Sequence, residues 1–146
     1  MIISNTGAQR IVCLTEETTE ALYLMGEQHR IVGISGFTVR PAIARKEKPK
    51  VSAFISAKID KILALKPDLV LAFSDMQADI TAELVKAGLQ VHVFNQRSVD
   101  EIFTMLFTLG ALINEPEKAA ALVSQYQQNI SECLEQAKAL KKKPTI

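Results

Sequence analysis

The side chains best suited to catalysis or metal binding in this sequence are two histidines and two cysteines, and they are widely separated. His29 follows the end of a predicted helix and His92 lies in a predicted strand, so neither has a partner at metal-ligand spacing. Cys13 and Cys133 lack the close spacing of a zinc or redox motif. We interpret the histidines as structural or surface residues and both cysteines as buried small apolar side chains. Metal ligation and a disulfide are the less favoured alternatives.

The motifs of the common enzyme classes are absent from the sequence. It contains no GxGxxG, no GxSxG and no phosphate-binding lysine loop. Seventeen basic and sixteen acidic residues give a net charge of +1, which provides no long-range attraction for nucleic acid. Lys141, Lys142 and Lys143 are interpreted as a solvated helix end that the helix dipole favours. We therefore predict no catalytic residue, no catalytic cofactor and no nucleic-acid partner.

Three phenylalanines stand where predicted strands or their loops end: Phe37, Phe54 and Phe73. Ligands of open parallel sheets bind beyond the carboxyl ends of the strands, which makes these rings candidates for an apolar binding surface. A ring wholly covered by ligand would contribute about 4–6 kcal/mol at most. Packing in the core is the alternative role for each ring. Ser35 and Ser74, at the same strand ends, are included among the predicted ligand contacts.

Short apolar runs alternate with helical patterns along the first two thirds of the chain. The predicted strands are residues 11–14, 31–34, 69–73 and 89–94, and the predicted helices are residues 17–25, 57–65 and 78–87. Such alternation implies right-handed crossovers. The predicted fold is therefore an α/β domain with a parallel sheet of about four strands flanked by helices. Residues 35–56 form a long connection without clear periodicity, which we interpret as a functional loop.

Two further helices are predicted after the last strand. The first covers residues 98–113, and the second, about 24 residues and 36 Å long, covers residues 117–140. The second helix is longer than a lobe of this size needs to cover its sheet. Residues 144–146 resemble the start of another strand. We therefore expect an α/β lobe over 1–114, a long helix over 115–143 and the beginning of a second lobe at 144–146.

The first ten residues contain no cationic segment followed by an apolar stretch, so no signal peptide is predicted. No run is long enough to span a bilayer. A processed form numbered afresh and a cytoplasmic protein are the two explanations that stay open.

Several segments resemble the periplasmic cobalamin and iron-siderophore binding proteins of ABC importers. The resemblance is carried by residues 9–12, 14–26, 31–35, 49–51 and 59–72. The block Leu-Lys-Pro-Asp-Leu-Val, which begins at Leu65, is the most specific of these. Members of that family have two α/β lobes joined by one long, rigid helix, and they hold the ligand between the lobes.

The resemblance implies a substrate-binding component of an ABC importer that binds cobalamin, a related corrinoid or an iron complex without performing chemistry. It implies a periplasmic location, permease membrane subunits as partners and residues 117–140 as the interlobe helix. A lobe on its own is expected to pair its exposed interlobe surface with another copy, giving a homodimer. The alternatives are a cytoplasmic corrinoid-binding protein without a signal sequence and a chelatase-like enzyme acting on a metal-tetrapyrrole.

The resemblance also assigns roles to single positions. Phe37 lies where the cobalamin-binding members carry a Tyr that faces the corrin, and Phe54 and Phe73 lie where they carry Trp. The aromatic character is kept, but the hydroxyl and indole donors are lost. Asp60 falls on the acidic residue with which such lobes dock onto arginines of the membrane subunits, and it is one methylene shorter than the usual Glu.

Overall fold

The structure, a computed structural model, describes residues 7–53 and 57–142. The strands are β1 (Ile11–Cys13), β2 (Ile31–Ser35), β3 (Lys50–Ser52), β4 (Leu69–Phe73) and β5 (Val91–Phe94). The helices are α1 (Glu16–Leu24), α2 (Ala44–Glu47), α3 (Ile59–Ala64), α4 (Ala78–Lys86), α5 (Val99–Leu112) and α6 (Pro116–Lys142). Short 3-10 turns cover Gln28–Arg30 and Asp75–Gln77.

The strands form one parallel sheet in the order β3-β2-β1-β4-β5, which confirms the predicted α/β fold. The chain runs outward from β1 to β3 on one side and then from β4 to β5 on the other. A crevice therefore opens beyond the carboxyl ends of β1 and its two neighbours, because the strand order reverses there.

The sheet has one strand more than the four predicted. The added strand, β3, lies within the segment 35–56 that was predicted to be a loop, and α2 lies there as well. β3 has three residues, of which only Val51 is fully buried. A strand this short shows no hydrophobic periodicity, so its pairing with β2 could be recognised only in three dimensions.

Alternate residues of the central strand pack into two separate apolar layers. Ile11 and Cys13 join a layer with α1, α5 and α6, whereas Val12 and Leu14 join the layer formed with α3 and α4. A strand covered on both faces needs apolar side chains at successive positions, which explains the continuous apolar runs of the sequence.

Two helices end next to a glycine, close to where the predicted helices 17–25 and 78–87 end. Gly26 follows α1 with φ 73°, and Gly88 follows α4 with φ 93°. A side chain is strained in this left-handed region, and glycine is not. The predicted ends at residues 25 and 87 agree with the observed ends, Leu24 and Lys86, to within one residue.

The two cysteines have different surroundings. Cys13 is fully buried, and burial raises the pKa of its thiol to about 11 despite hydrogen bonds from Thr18 and Thr19. Cys133 is exposed on α6, so the prediction that both cysteines are buried was wrong for this residue. Helical spacing places Cys133 on the apolar face of α6, but residues 127–140 of this helix are all exposed.

The long helix predicted over 117–140 is confirmed as α6. Ala119 and Val123, near its start, are buried against α5 and the rest of the first layer. Residues 127–140 are all exposed. Their apolar members include Ile130, Leu134 and Leu140, which are 39%, 59% and 67% exposed. The second half of α6 therefore carries an apolar stripe that the described residues leave uncovered.

A buried carboxylate attaches the amino-terminal end of α6, which we call its base, to the rest of the lobe. Glu27, just after α1, accepts hydrogen bonds from Lys118 at 3.0 Å and from Arg30 at 3.4 Å, and His29 lies 3.3 Å away. The Glu27 side chain is 3% exposed, whereas that of His29 is 66% exposed. Arg30 also donates to the carbonyl oxygen of Ala8. These contacts join the amino-terminal segment, the end of α1 and the start of α6.

Neutralising Glu27 is expected to remove part of the protein's acid sensitivity. Burial by itself would raise the pKa of this carboxyl, but the Lys118 and Arg30 hydrogen bonds outweigh it and hold the pKa below its ordinary value. The ionised form is therefore favoured by folding. The ionised Glu27 carboxylate makes its full contribution to the free energy of unfolding above about pH 5. This contribution is lost as the pH falls through the lowered pKa.

We expect Glu27→Gln to lower the free energy of unfolding by about 2 kcal/mol at pH 7 and by much less near pH 3. Urea unfolding at both pH values measures this difference. Glu83→Gln, on the exposed face of α4, is the control and should change neither value. An equal loss for Glu27→Gln at both pH values would contradict the electrostatic explanation.

Candidate functional site

The predicted ligand contacts that the structure describes lie at one edge of the sheet. Ser35 ends β2 and Phe37 follows it, while Phe73 ends β4 and Ser74 follows it. β1 lies between these two strands, and all three are parallel, so their carboxyl ends share an edge. Phe54 lies outside the described residues. The roles of all five in ligand binding remain predictions.

Phe37 is exposed to solvent in the loop after β2, and hydrogen bonds hold this loop in place. The Phe37 residue is 66% exposed. Its backbone N–H donates to the Ser35 hydroxyl at 3.2 Å, and the guanidinium of Arg45 donates to the carbonyl oxygens of Gly36 and Thr38 at 2.7 and 3.0 Å. Ser35 is buried. In this arrangement its hydroxyl positions the Phe37 backbone.

The turn after β4 is strained. Ser74 has φ 63° and ψ 173°, a region that is almost restricted to glycine and costs about 1–3 kcal/mol for other residues. Its N–H donates to the carbonyl of Phe94 at 2.7 Å, and its hydroxyl accepts from the N–H of Met76 at 3.2 Å. Ser74 is buried. Strain of this kind is held by surrounding contacts and is common at ligand-binding sites.

A buried glutamine ties the ends of β1 and β4 together, and the sequence analysis missed it. Gln77 is fully buried; its Oε1 accepts from the N–H of Phe73 at 2.8 Å, and its Nε2 donates to the carbonyl of Leu14 at 3.2 Å. Phe73 itself is partly buried against the α1 layer. No sequence signal marked Gln77, because a polar residue just before a helix is ordinarily a solvent-exposed one.

Three further apolar residues follow the strand ends and are exposed. Val39 and Ile43, in the loop after β2, are 62% and 50% exposed, and Met76, after β4, is 62% exposed. Single apolar residues in a loop have no periodicity, so the sequence analysis did not select them. Together with Phe37 they give the crevice edge an apolar rim, which suits a large ligand with apolar surface.

The remaining predicted site residue, Asp60, lies apart from this edge. It is the second residue of α3, is exposed and forms no ion pair with another described residue. Docking through Asp60 remains a prediction. Among residues 7–53 and 57–142, no group of three or more His, Cys, Asp or Glu side chains could hold a metal ion.

A sequence profile described as "Periplasmic binding protein" matches residues 11–146. The chain belongs to this family. A vitamin B12-binding protein of Yersinia pestis (strain Pestoides F) is 28% identical over 127 residues, which cover 86% of this chain and 45% of the relative.

Solved structures of periplasmic binding proteins share the fold. The periplasmic vitamin B12-binding protein of Vibrio cholerae matches with a TM-score of 0.77 and 26% identity, over 88% of this chain and 51% of that one. A periplasmic heme-binding protein of Pseudomonas aeruginosa matches with a TM-score of 0.84 and 24% identity, over 94% and 50%. The chain thus spans about half the length of these relatives. No helix in the described part of the chain is long and apolar enough to cross a membrane.

Proposed function

We propose that this chain forms one ligand-binding lobe of the substrate-binding component of an ABC importer. The cargo is cobalamin, a related corrinoid or an iron complex, and the protein binds it without chemistry. The exposure of Phe37 at the crevice edge carries the proposal. A phenylalanine that is 66% exposed contributes little to its own fold and offers an apolar face to a flat ligand.

Two properties of the crevice edge suit it to this cargo, its exposed apolar surface and its rigidity. Arg45, Ser35 and Gln77 fix the loops that carry Phe37 and Phe73. A fixed ring loses little conformational entropy on binding, so more of the contact energy appears as affinity. Half coverage of a ring by ligand is worth about 2–3 kcal/mol.

The uncovered stripe of α6 supports the assignment of residues 115–143 as an interlobe helix after a lobe formed by residues 1–114. Ile130, Leu134 and Leu140 are spaced along this helix and are all exposed. We propose that a second lobe packs on this stripe and closes the crevice. The segment 144–146, assigned to the start of that lobe, lies outside the described residues.

The family supports a periplasmic location for the working protein, with the permease membrane subunits as its partners. Asp60 is the proposed docking residue. Its exposure and its lack of a described ion-pair partner leave its carboxylate available for an arginine.

Ligand titration with a matched pair of variants tests the proposal. We expect the full-length protein to bind cyanocobalamin or hemin below about 100 μM. Phe37→Ala should weaken that binding at least about tenfold, since a loss of only about 1.4 kcal/mol already has this effect. The absorption spectrum of the bound corrin or heme, or calorimetry, measures the affinity.

Phe107→Ala is the control for this titration. Phe107 is 48% exposed on α5, is not at a strand end and should leave the affinity within about twofold. Equal effects of the two substitutions, or no binding of either ligand, would contradict the proposed function.

A further inference from the structure

Basic side chains cluster on the lateral surface of the lobe that α2, β3 and the start of α3 form together. β3 ends the strand order and pairs with β2. α2 packs in the layer of α1 through Ala44, and α3 packs in the other layer through Ile62, so β3 lies between them. We call this surface the β3 face, and its cations are Arg45, Lys46, Lys48, Lys50, Lys58 and Lys61. All are exposed except Lys48, which is partly buried.

The cations of the β3 face are neighbours in space as well as in sequence. The ammonium group of Lys61 donates to the carbonyl oxygen of Lys50 at 2.8 Å, and that of Lys50 donates to the carbonyl oxygen of Arg45 at 3.0 Å. Lys50 and Lys58 line one cavity of about 430 Å³. The β3 face is therefore one continuous basic surface that reaches from α2 across β3 to α3.

The positive charge of the β3 face is not neutralised within the described part of the lobe. None of its six cations forms an ion pair there; Lys48, for example, donates to the carbonyl oxygen of Gln28 at 2.8 Å. Its two carboxylates belong to Glu47, which accepts the Tyr23 hydroxyl at 2.9 Å, and to Asp60, which is exposed. Six cations less two carboxylates leave a net charge of +4, whereas the whole chain has +1. The rest of the chain is therefore net negative, and the charge is polarised towards this face.

We propose that the β3 face docks onto an anionic lipid surface and so holds the lobe against the membrane beside the permease. The choice of a membrane rests on the proposed function, which places the working protein at the permease. Five of the six cations are lysines, whose ammonium groups are compact point charges without a fixed planar geometry. Such charges suit mobile lipid phosphates, whereas a carboxylate in a fixed position is better matched by arginine.

The proposed docking through Asp60 itself requires anions at this face. Lys58 and Lys61 flank Asp60 at the start of α3. An arginine of a membrane subunit that approaches Asp60 would be repelled by both of these lysines. Lipid phosphates between the two surfaces would offset that repulsion, so lipid binding by the β3 face and docking through Asp60 support each other.

Co-sedimentation of the full-length protein with lipid vesicles tests the inference. Vesicles of phosphatidylcholine alone are compared with vesicles of phosphatidylcholine and phosphatidylglycerol in equal parts. We expect at least about tenfold stronger binding to the mixed vesicles, and loss of most of that binding when the salt concentration rises from about 0.05 M to about 0.5 M. The double variant Lys46→Gln with Lys58→Gln should weaken binding at least about tenfold, because each cation near an anionic lipid surface contributes about fivefold.

The double variant Lys86→Gln with Lys138→Gln is the matched control. It removes two exposed lysines from α4 and α6, outside the β3 face, and should leave vesicle binding within about twofold. Equal weakening by the two double variants, or equal binding to the two kinds of vesicle, would overturn the inference. Poly-glutamate is titrated as a probe for an acidic protein surface. Binding of poly-glutamate without binding of the mixed vesicles would overturn the membrane as the partner.

Titrations of the same proteins with cyanocobalamin and hemin separate this inference from the proposed function. Both double variants should bind either cargo within about twofold of the unsubstituted protein, because none of the four lysines lies at the crevice edge. If a cargo binds and the mixed vesicles do not, the inference is overturned and the proposed function stands. If the mixed vesicles bind as expected and neither cargo does, lipid binding by the β3 face stands and the proposed function is contradicted.

Discussion

Replacing Gly110 with alanine is expected to destabilise the lobe by about 3 kcal/mol, the size of effect seen when a packed core is overfilled. Gly110 is buried in α5 where α6 begins. A Cβ atom added there would lie 2.4 Å from the Cβ of Ala119 and 3.2 Å from the carbonyl oxygen of Glu115. The two helices would have to separate. In an unpacked helix the same change would stabilise by about 1 kcal/mol, so the sign itself is diagnostic.

Chemical denaturation of the single and double variants checks this expectation. Ala119→Gly removes the nearer obstacle, so adding it to Gly110→Ala should recover about half of the lost stability, and the two changes should be strongly non-additive. Independent, additive effects would show that the α5–α6 contact is not the cause. Neutral behaviour of Gly110→Ala would contradict the close packing of these helices.

Replacing Gly110 should affect ligand binding as well as stability, because α6 is the proposed interlobe helix. Its base is fixed to the lobe by two features only a few residues apart, the Gly110–Ala119 contact and the Lys118–Glu27 ion pair at 3.0 Å. A change at either one should alter the direction in which α6 leaves the lobe. We therefore expect ligand affinity in the full-length protein to fall along with stability.

Replacing Gln77 with methionine should cost about 3 kcal/mol and also disturb the crevice edge. Methionine has a similar shape but cannot form either hydrogen bond, so the N–H of Phe73 and the carbonyl of Leu14 would lose their Gln77 partner inside the protein. Each such buried group costs about 1–3 kcal/mol. The same change releases the strained turn at Ser74 and so misplaces Phe73.

Urea unfolding and cyanocobalamin or hemin titration together measure both effects. Gln125→Met, at an exposed position of α6, is the matched control and should change stability by less than about 0.5 kcal/mol. A loss of stability without any change in affinity would show that Gln77 supports the fold but not the binding surface.

The fold could be predicted from the sequence to a large extent because it follows from local patterns. Continuous apolar runs such as that of β4 arise when both faces of a strand are covered, and glycines 26 and 88 stop helices by their left-handed backbone. Four of the five strands and the long helix were found in this way. The strand β3 was missed because three residues cannot show a period.

The candidate site was predicted only in part, and the reason is physical. Residue type and position after a strand were enough to select Phe37, Phe73, Ser35 and Ser74, because parallel strands all end at the same edge. Gln77 could not be found, since its role depends on reaching Leu14, far away in sequence but adjacent in the sheet.

What the sequence alone determined about this protein is the α/β order of its elements, their family and the aromatic residues at the strand ends, all of which depend on neighbours along the chain. Tertiary structure decided which of these side chains are exposed and which are buried or paired. It buried Ser35, left Phe37, Cys133 and the second half of α6 exposed, and paired Lys118 with Glu27. Exposure and charge pairing are set by contacts between distant segments, and those exist only once the helices pack on the sheet.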